Sequence, residues 1–283
     1  MPTLASQVVT VPRSRLRALV VPREHGAWGM LLVPLATGAA VGIMLGGQAL
    51  PLLLFLLAAM SVFWLRTPLE SWLGTTPLRA QTVVERRALL VFILCLSAVA
   101  ALMFTALFWG GQNRALLPIG AVVMLAFMAQ AALKKLSRNL RMAAQVVGAI
   151  GLTATAPAAC IVAAGRFDSV AAALWLANWL FAGDQIHFVQ LRIHAARVEG
   201  MVRKLRCGRA FLAGQIALAA VLIVAASAGF LPWFTLLAFA PVLFRGIAWF
   251  LHSAQPLAVR RLGWSELAHA VAFGALLVAA FRF

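Results

Sequence analysis

Long apolar runs separated by short polar interruptions dominate the chain. A helix that crosses the hydrocarbon core of a bilayer needs about 20 mostly apolar residues. Nine runs approach that length: about 27–46, 49–65, 88–109, 115–133, 143–164, 170–189, 210–229, 231–250 and 266–281. The turn around Gly229, Leu231 and Pro232 is short, but the stretch 210–250 is too long for one span. The pattern predicts an all-α polytopic membrane protein of about nine transmembrane helices. Residues 1–22 read as a cytoplasmic basic tail and residues 23–283 as a single transmembrane domain.

The polar interruptions test that count, because cytoplasmic loops collect Lys and Arg. With nine spans, 21 of the 24 cations fall on one side, and only Arg114, Arg166 and Arg282 fall on the other. The acids Glu24, Glu70, Glu85, Asp184, Glu199 and Glu266 lie at or near the same side, with Asp168 opposite. This predicts a multi-pass protein of the bacterial inner membrane with its N-terminus in the cytoplasm and its C-terminus outside. Two inner loops are long, about 66–87 and about 190–209, and Pro68 is expected to force a turn in the first of them. Gly38, Gly42 and Gly46 repeat every four residues on the first predicted helix, the spacing of a close-packing seam.

Composition agrees with this architecture. The chain is 64% hydrophobic and 11% charged, against about 25% charged residues in an ordinary soluble domain. Its net charge of +17 would suggest nucleic acid in a soluble protein. Here the cations sit in short loops between apolar runs, so the expected partners are membrane lipids rather than nucleic acid. Cys95, Cys160 and Cys207 have neither CxxC nor Cys/His ligand spacing, which argues against a disulfide framework or a structural zinc site. Residues 1–22 contain three arginines and three prolines and lack the apolar core of a secretory signal.

Chemistry is concentrated in two places. Arg23, Glu24, His25 and Trp28 stand together at the entrance of the first predicted helix, where ionisable groups are costly and face a partner or a cavity. An interfacial anchor explains Arg23 and Trp28 equally well. The second cluster is Asp184, His187, Gln190, Arg192 and His194, which follows an almost wholly apolar run from Ala171 to Gly183. Spacings of three and four place Asp184, His187, Leu191 and His194 on one helical face. Asp and His one turn apart can orient a base, hold a cation or bond each other. Arg192 and Arg197 are placed to meet an anionic group, Arg66 is a candidate phosphate contact, and Lys134, Lys135 and Arg138 read as a topology-fixing knot. His252 and His269 are isolated and read as structural groups. No P-loop, Rossmann glycine pattern, GxSxG or paired Asp-rich motif is present.

The segment Pro22-Arg23-Glu24-His25-Gly26-Ala27-Trp28 resembles the HGAW opening of bacterial YwiC-like membrane proteins, and the Arg66-Thr67-Pro68-Leu69 turn is similar to theirs. The layout also resembles the UbiA superfamily of intramembrane prenyltransferases, which implies a helical bundle around a central cavity. That second resemblance implies a prenyl or other lipid substrate and magnesium as cofactor. It would place metal-binding Asp-rich motifs after the second and sixth helices. This chain has Arg66, Glu70 and Glu85 in one place and a single Asp184 in the other, too few carboxylates for such a site. The functional expectation is a UbiA-like intramembrane transferase or lipid-handling protein. In it Asp184, His187, His25 and Glu24 act on the substrate, while Arg23, Trp28, Arg66 and Arg192 hold it. The alternatives are a small-solute transporter and a non-catalytic membrane subunit.

Overall fold

The structure is a computed structural model that describes residues 13–21, 25–74, 78–109, 115–137, 140–196, 198–252 and 257–282. Among these residues eleven α-helices follow one another: α1 Arg13–Val20, α2 His25–Met44, α3 Ala49–Leu73, α4 Val83–Trp109, α5 Leu116–Leu136, α6 Arg141–Thr153, α7 Thr155–Ala164, α8 Ser169–His194, α9 Met201–Ser227, α10 Thr235–Leu251 and α11 Val259–Ala280. Among the described residues every regular element is helical. That is what a bilayer demands, since a helix satisfies its backbone hydrogen bonds internally.

Among the described residues, six helical segments are long and apolar enough to cross a membrane: Ala49–Leu73, Val83–Trp109, Leu116–Leu133, Met142–Ala164, Met201–Ser227 and Val259–Ala280. The segment Met142–Ala164 joins α6 and α7 across a break at Ala154. Pro157 explains the break, because it cannot donate to the carbonyl four residues earlier. Thr153 and Thr155 spend their hydroxyls on nearby carbonyls there, Ala149 O and Leu152 O, both at 2.8 Å. Trp28–Met44 and Thr235–Leu251 are shorter apolar helices.

Helix boundaries differ from the sequence expectation at two loops. Pro68 does not turn the chain: α3 runs through it to Leu73. Membrane helices tolerate proline where neighbouring groups satisfy the freed carbonyl. The expected loop 190–209 is also mostly helix, because α8 continues to His194 and α9 begins at Met201. Polar residues at these positions extend the helices beyond their apolar cores rather than ending them.

The chain divides into two compact units, Met1–His25 with Leu53–Gly110, and Gly26–Leu52 with Gly111–Phe283. In the first unit, α1 lies in the segment read as a tail. Its last-turn carbonyls are taken up in tertiary bonds, Leu19 O by Ser71 Oγ at 3.2 Å and Val20 O by Trp64 Nε1 at 3.1 Å. Leu19 and Val20 pack with Ala80 and Leu89. Thr82 and Glu85 form a reciprocal cap at the start of α4. The Glu85 amide donates to Thr82 Oγ1 at 3.1 Å, and the Thr82 amide donates to Glu85 Oε2 at 3.2 Å. The other carboxylate oxygen of Glu85 accepts from Arg15 Nε, so one acid both caps α4 and anchors α1. Glu85 Oε2 also accepts from the Gln81 amide at 2.7 Å, so Glu85→Ala removes all three bonds at a cost of about 1 kcal/mol or more. The expected result is trypsin cleavage after Arg15 and Arg17 that is about fivefold faster than in wild type. An unchanged cleavage rate would show that α1 is held by other contacts.

In the second unit, α2 meets α7 through glycine. A Cβ on Gly38 would lie 1.9 Å from Ala156 O, and one on Gly42 would lie 2.8 Å from the Ala163 Cβ. The expected seam therefore exists at Gly38 and Gly42. Gly46 does not join it: the residue sits beyond the helix end at a φ of +84° with open space around it. On α8, Trp175 and Trp179 donate to Ile150 O and Val146 O of α6 at 3.2 and 3.1 Å. Asn178 of α8 donates to Thr37 Oγ1 of α2 at 3.2 Å. These contacts place α8 against α2 and α6, with twelve of its 26 residues buried.

Candidate functional site

Helix α8 starts at Asp168, whose side chain caps it by accepting from the Ala171 amide at 3.1 Å. It spans 26 residues, or about 39 Å at the helical rise of about 1.5 Å per residue. Its first half is apolar and packs Phe181 against Phe273 of α11, stacked at 4.0 Å between centroids, with Phe239 of α10 edge-on to Phe273 at 5.1 Å. One turn beyond Phe181 the chemistry changes abruptly at Asp184.

Asp184 is buried and does not pair with His187. Its Oδ2 accepts from Arg245 Nη2 of α10 at 2.7 Å, and its Oδ1 accepts from Gln215 Nε2 of α9. Arg245 reaches onward through Nη1 to Glu266 Oε2 of α11. Gln185 Nε2 donates to the backbone oxygen of Glu266 at 2.8 Å, which fixes the approach of α11. The guanidinium lies 4.0 Å from the centroid of the Phe188 ring, a favourable cation–π geometry. Four helices thus converge on one arginine flanked by two carboxylates. Arg245 Nε, Glu266 Oε1 and Gln215 Oε1 are buried without a hydrogen-bond partner. Unpaired groups of this kind are costly in a low-dielectric interior.

A groove of about 360 Å³ opens beside the cluster. Aromatic walls come from Phe188, Phe244 and Trp249, and its polar groups are Arg192, Arg245, His252 and His269. Both histidines donate from Nδ1 to carbonyls of their own helices, Ala248 O and Ser265 O, each at 2.7 Å. Lys204 of α9 is buried behind the groove. Its Nζ donates to Trp249 O at 3.2 Å and His252 O at 2.6 Å, so the cation satisfies carbonyls at the C-terminal end of α10.

The structure distributes the residues singled out in the sequence. Asp184 belongs to the ion cluster and Arg192 to the groove beside it. His187 packs edge-on to Phe211 of α9, 5.2 Å between centroids. Trp28 lies half-buried on α2. Arg66 is in the first unit, where Nε donates to Glu70 Oε1 at 3.0 Å in an exposed pair. Arg23 and Glu24 lie outside the described residues; His25 opens α2, and its side chain is likewise outside the description. The sequence reading passed over Arg245, Glu266 and Gln215 as partners of Asp184. Arg245 stands within the apolar run 235–251, the same signal that singled out Asp184.

Metal coordination does not fit this arrangement. Both oxygens of Asp184 are engaged by Gln215 and Arg245. Among the described residues no group of three or more His, Cys, Asp and Glu side chains comes together as a metal site. Magnesium held by paired carboxylates, which the UbiA resemblance implied, is therefore not supported by the donors present.

These features define a class, a multi-pass helical membrane protein with several apolar spans and a polar site inside its helical bundle. Residues 21–160, about half of the chain, match the family model described as YwiC-like protein. The chain belongs to the YwiC-like family. The Arg23–Trp28 and Arg66–Leu69 segments fall within the matched region, whereas the ion cluster and its groove lie beyond it. No curated protein and no solved structure matches the chain.

Proposed function

We propose that the protein handles an anionic lipid in the inner membrane, with the headgroup in the groove of α8, α10 and α11 and the apolar tail along the neighbouring helices. The observation that carries this reading is the groove itself, which combines two arginines and two histidines with three aromatic walls. Such a surface suits a carboxylate or phosphate joined to a long apolar chain, including a prenyl chain. In this reading α8, α2 and α10 join the six long apolar helices to make nine spans. The charge tally supports an N-terminus in the cytoplasm and a C-terminus outside in this reading. The UbiA-like layout supports a lipid-sized cavity, but no transferase step is assigned, because Asp184 is held by Arg245 and Gln215 rather than offered as a base.

Native mass spectrometry of the protein purified in mild detergent tests the reading. The expected result is an adduct with the mass of an acidic lipid or prenyl phosphate. Arg192→Gln should lower its retention about tenfold, the loss of one charge-assisted bond of about 1.5 kcal/mol. A wild-type protein free of lipid adducts, or an adduct insensitive to Arg192→Gln, would overturn it.

The ion cluster favours a second reading, transport of a small solute, because charged groups within a bundle often mark an ion pathway. Uptake into proteoliposomes that depends on Asp184 and leaves no lipid adduct would select that reading.

A further inference from the structure

The charges of the cluster do not cancel. Asp184 and Glu266 are two acids on one guanidinium, and the sum is one negative charge inside a helical bundle. The two acids are not equivalent. Both oxygens of Asp184 accept hydrogen bonds, and only 1% of its side chain is exposed. Glu266 uses Oε2 on Arg245 and leaves Oε1 buried without a partner. Both oxygens of Asp184 are occupied by donors, whereas Glu266 Oε1 can take a proton without displacing one. Arg245 forms part of the groove wall, so an anion that binds there competes directly with Glu266 for the guanidinium.

We propose that Glu266 binds a proton together with the anion in the groove, so that one proton enters for each anionic headgroup that engages Arg245. The proposal rests on the lipid-handling reading and adds its coupling. An O–H bond forms at Glu266 Oε1 with a proton from water at the groove mouth, and the Arg245 Nη1 bond passes from Glu266 to the anion. No other bond changes. The net charge of the cluster is the same before and after, which spares the interior a second uncompensated charge.

Other titratable and charged groups surround the site and define the controls. Helix α8 contributes Asp184, His187 and Arg192, α9 contributes Lys204, α10 contributes Arg245 and His252, and α11 contributes His269. Helix α2 brings none between Trp28 and Met44. His269 lines the same groove and is the competing proton acceptor.

The test uses the full chain in nanodiscs of neutral phosphatidylcholine. The probe is a fluorescent long-chain alkyl sulfonate, whose headgroup charge does not vary with pH. Its Kd is measured from about pH 5.5 to about pH 8, the range in which a histidine control also titrates. Wild-type affinity is expected to fall by up to about tenfold per pH unit as pH rises, the limit for one linked proton. Glu266→Gln is expected to bind with the affinity of the acid form at every pH, and His269→Gln to keep the wild-type slope. A pH indicator in weak buffer should report close to one proton taken up per probe bound by wild type. That measurement stands even if a variant folds poorly.

Probe binding by wild type without pH dependence or proton uptake would overturn the coupling and leave the lipid reading standing. A wild-type slope retained in Glu266→Gln, or lost in His269→Gln, would overturn the assignment to Glu266. Absence of probe binding at every pH would overturn both the coupling and the lipid reading.

Discussion

Arg245→Ala is expected to cost about 3–5 kcal/mol of stability, because it strips the shared cation from two buried acids. That is a large part of the total stability of an ordinary folded domain, about 5–15 kcal/mol. The variant should aggregate or unfold in detergent at temperatures at which wild type stays monodisperse. The loss should not come from the arginine's bulk. Replacing all three charges at once, with Asp184→Asn, Arg245→Gln and Glu266→Gln, should recover most of the stability, since no lone charge is then left inside. Thermal unfolding in one detergent measures both variants. An Arg245→Ala protein as stable as wild type would show that water reaches the acids freely.

The second large effect is at Gly38. A Cβ there would fall 1.9 Å from a backbone oxygen of α7, which cannot rotate away as a side chain could. Gly38→Val should therefore force α2 and α7 apart and cost more than the usual overpacking penalty of about 1–3 kcal/mol. Gly120 provides the control, since a Cβ at that position of α5 meets nothing within 4 Å. Gly120→Ala should be neutral or stabilising by up to about 1 kcal/mol, as expected for the helix propensity alone. Opposite signs at the two glycines would establish that contact, not flexibility, makes Gly38 indispensable. Equal effects would refute it.

Helices were the readable part of this sequence, because a membrane helix is announced by a run of apolar residues that needs no partner to be recognised. Their ends were less readable. The run 49–65 stops being apolar at Arg66, but the hydrogen-bond ladder does not stop there, and α3 carries Arg66, Pro68 and Glu70 for two more turns. The same holds for α8, whose polar last turns looked like loop. Hydropathy locates where a helix suits lipid, not where its backbone bonds end.

Asp184 could be singled out because a lone acid follows a long apolar run. Its partners could not be paired with it by any local spacing, since Arg245 is 61 residues away and Glu266 lies on yet another helix. Arg245 and Glu266 were counted among the charges of the cytoplasmic side, an explanation that fits most arginines in such proteins and concealed this one. The seam at Gly38 and Gly42 was legible from a four-residue repeat, whereas Gly46 shares the repeat but lies past the last helical turn. Periodicity specifies a face only while the helix lasts.

The distribution of the three charges over three helices also governs how the protein can be assembled at the ribosome. Asp184 is synthesised 61 residues before Arg245, and Arg245 is synthesised 21 residues before Glu266. At about 5–20 residues per second, α8 waits about 3–12 seconds for the cation that neutralises its acid. Until then α8 carries its acid without the cation that pairs with it, so its settled packing is tied to the arrival of α10 and α11.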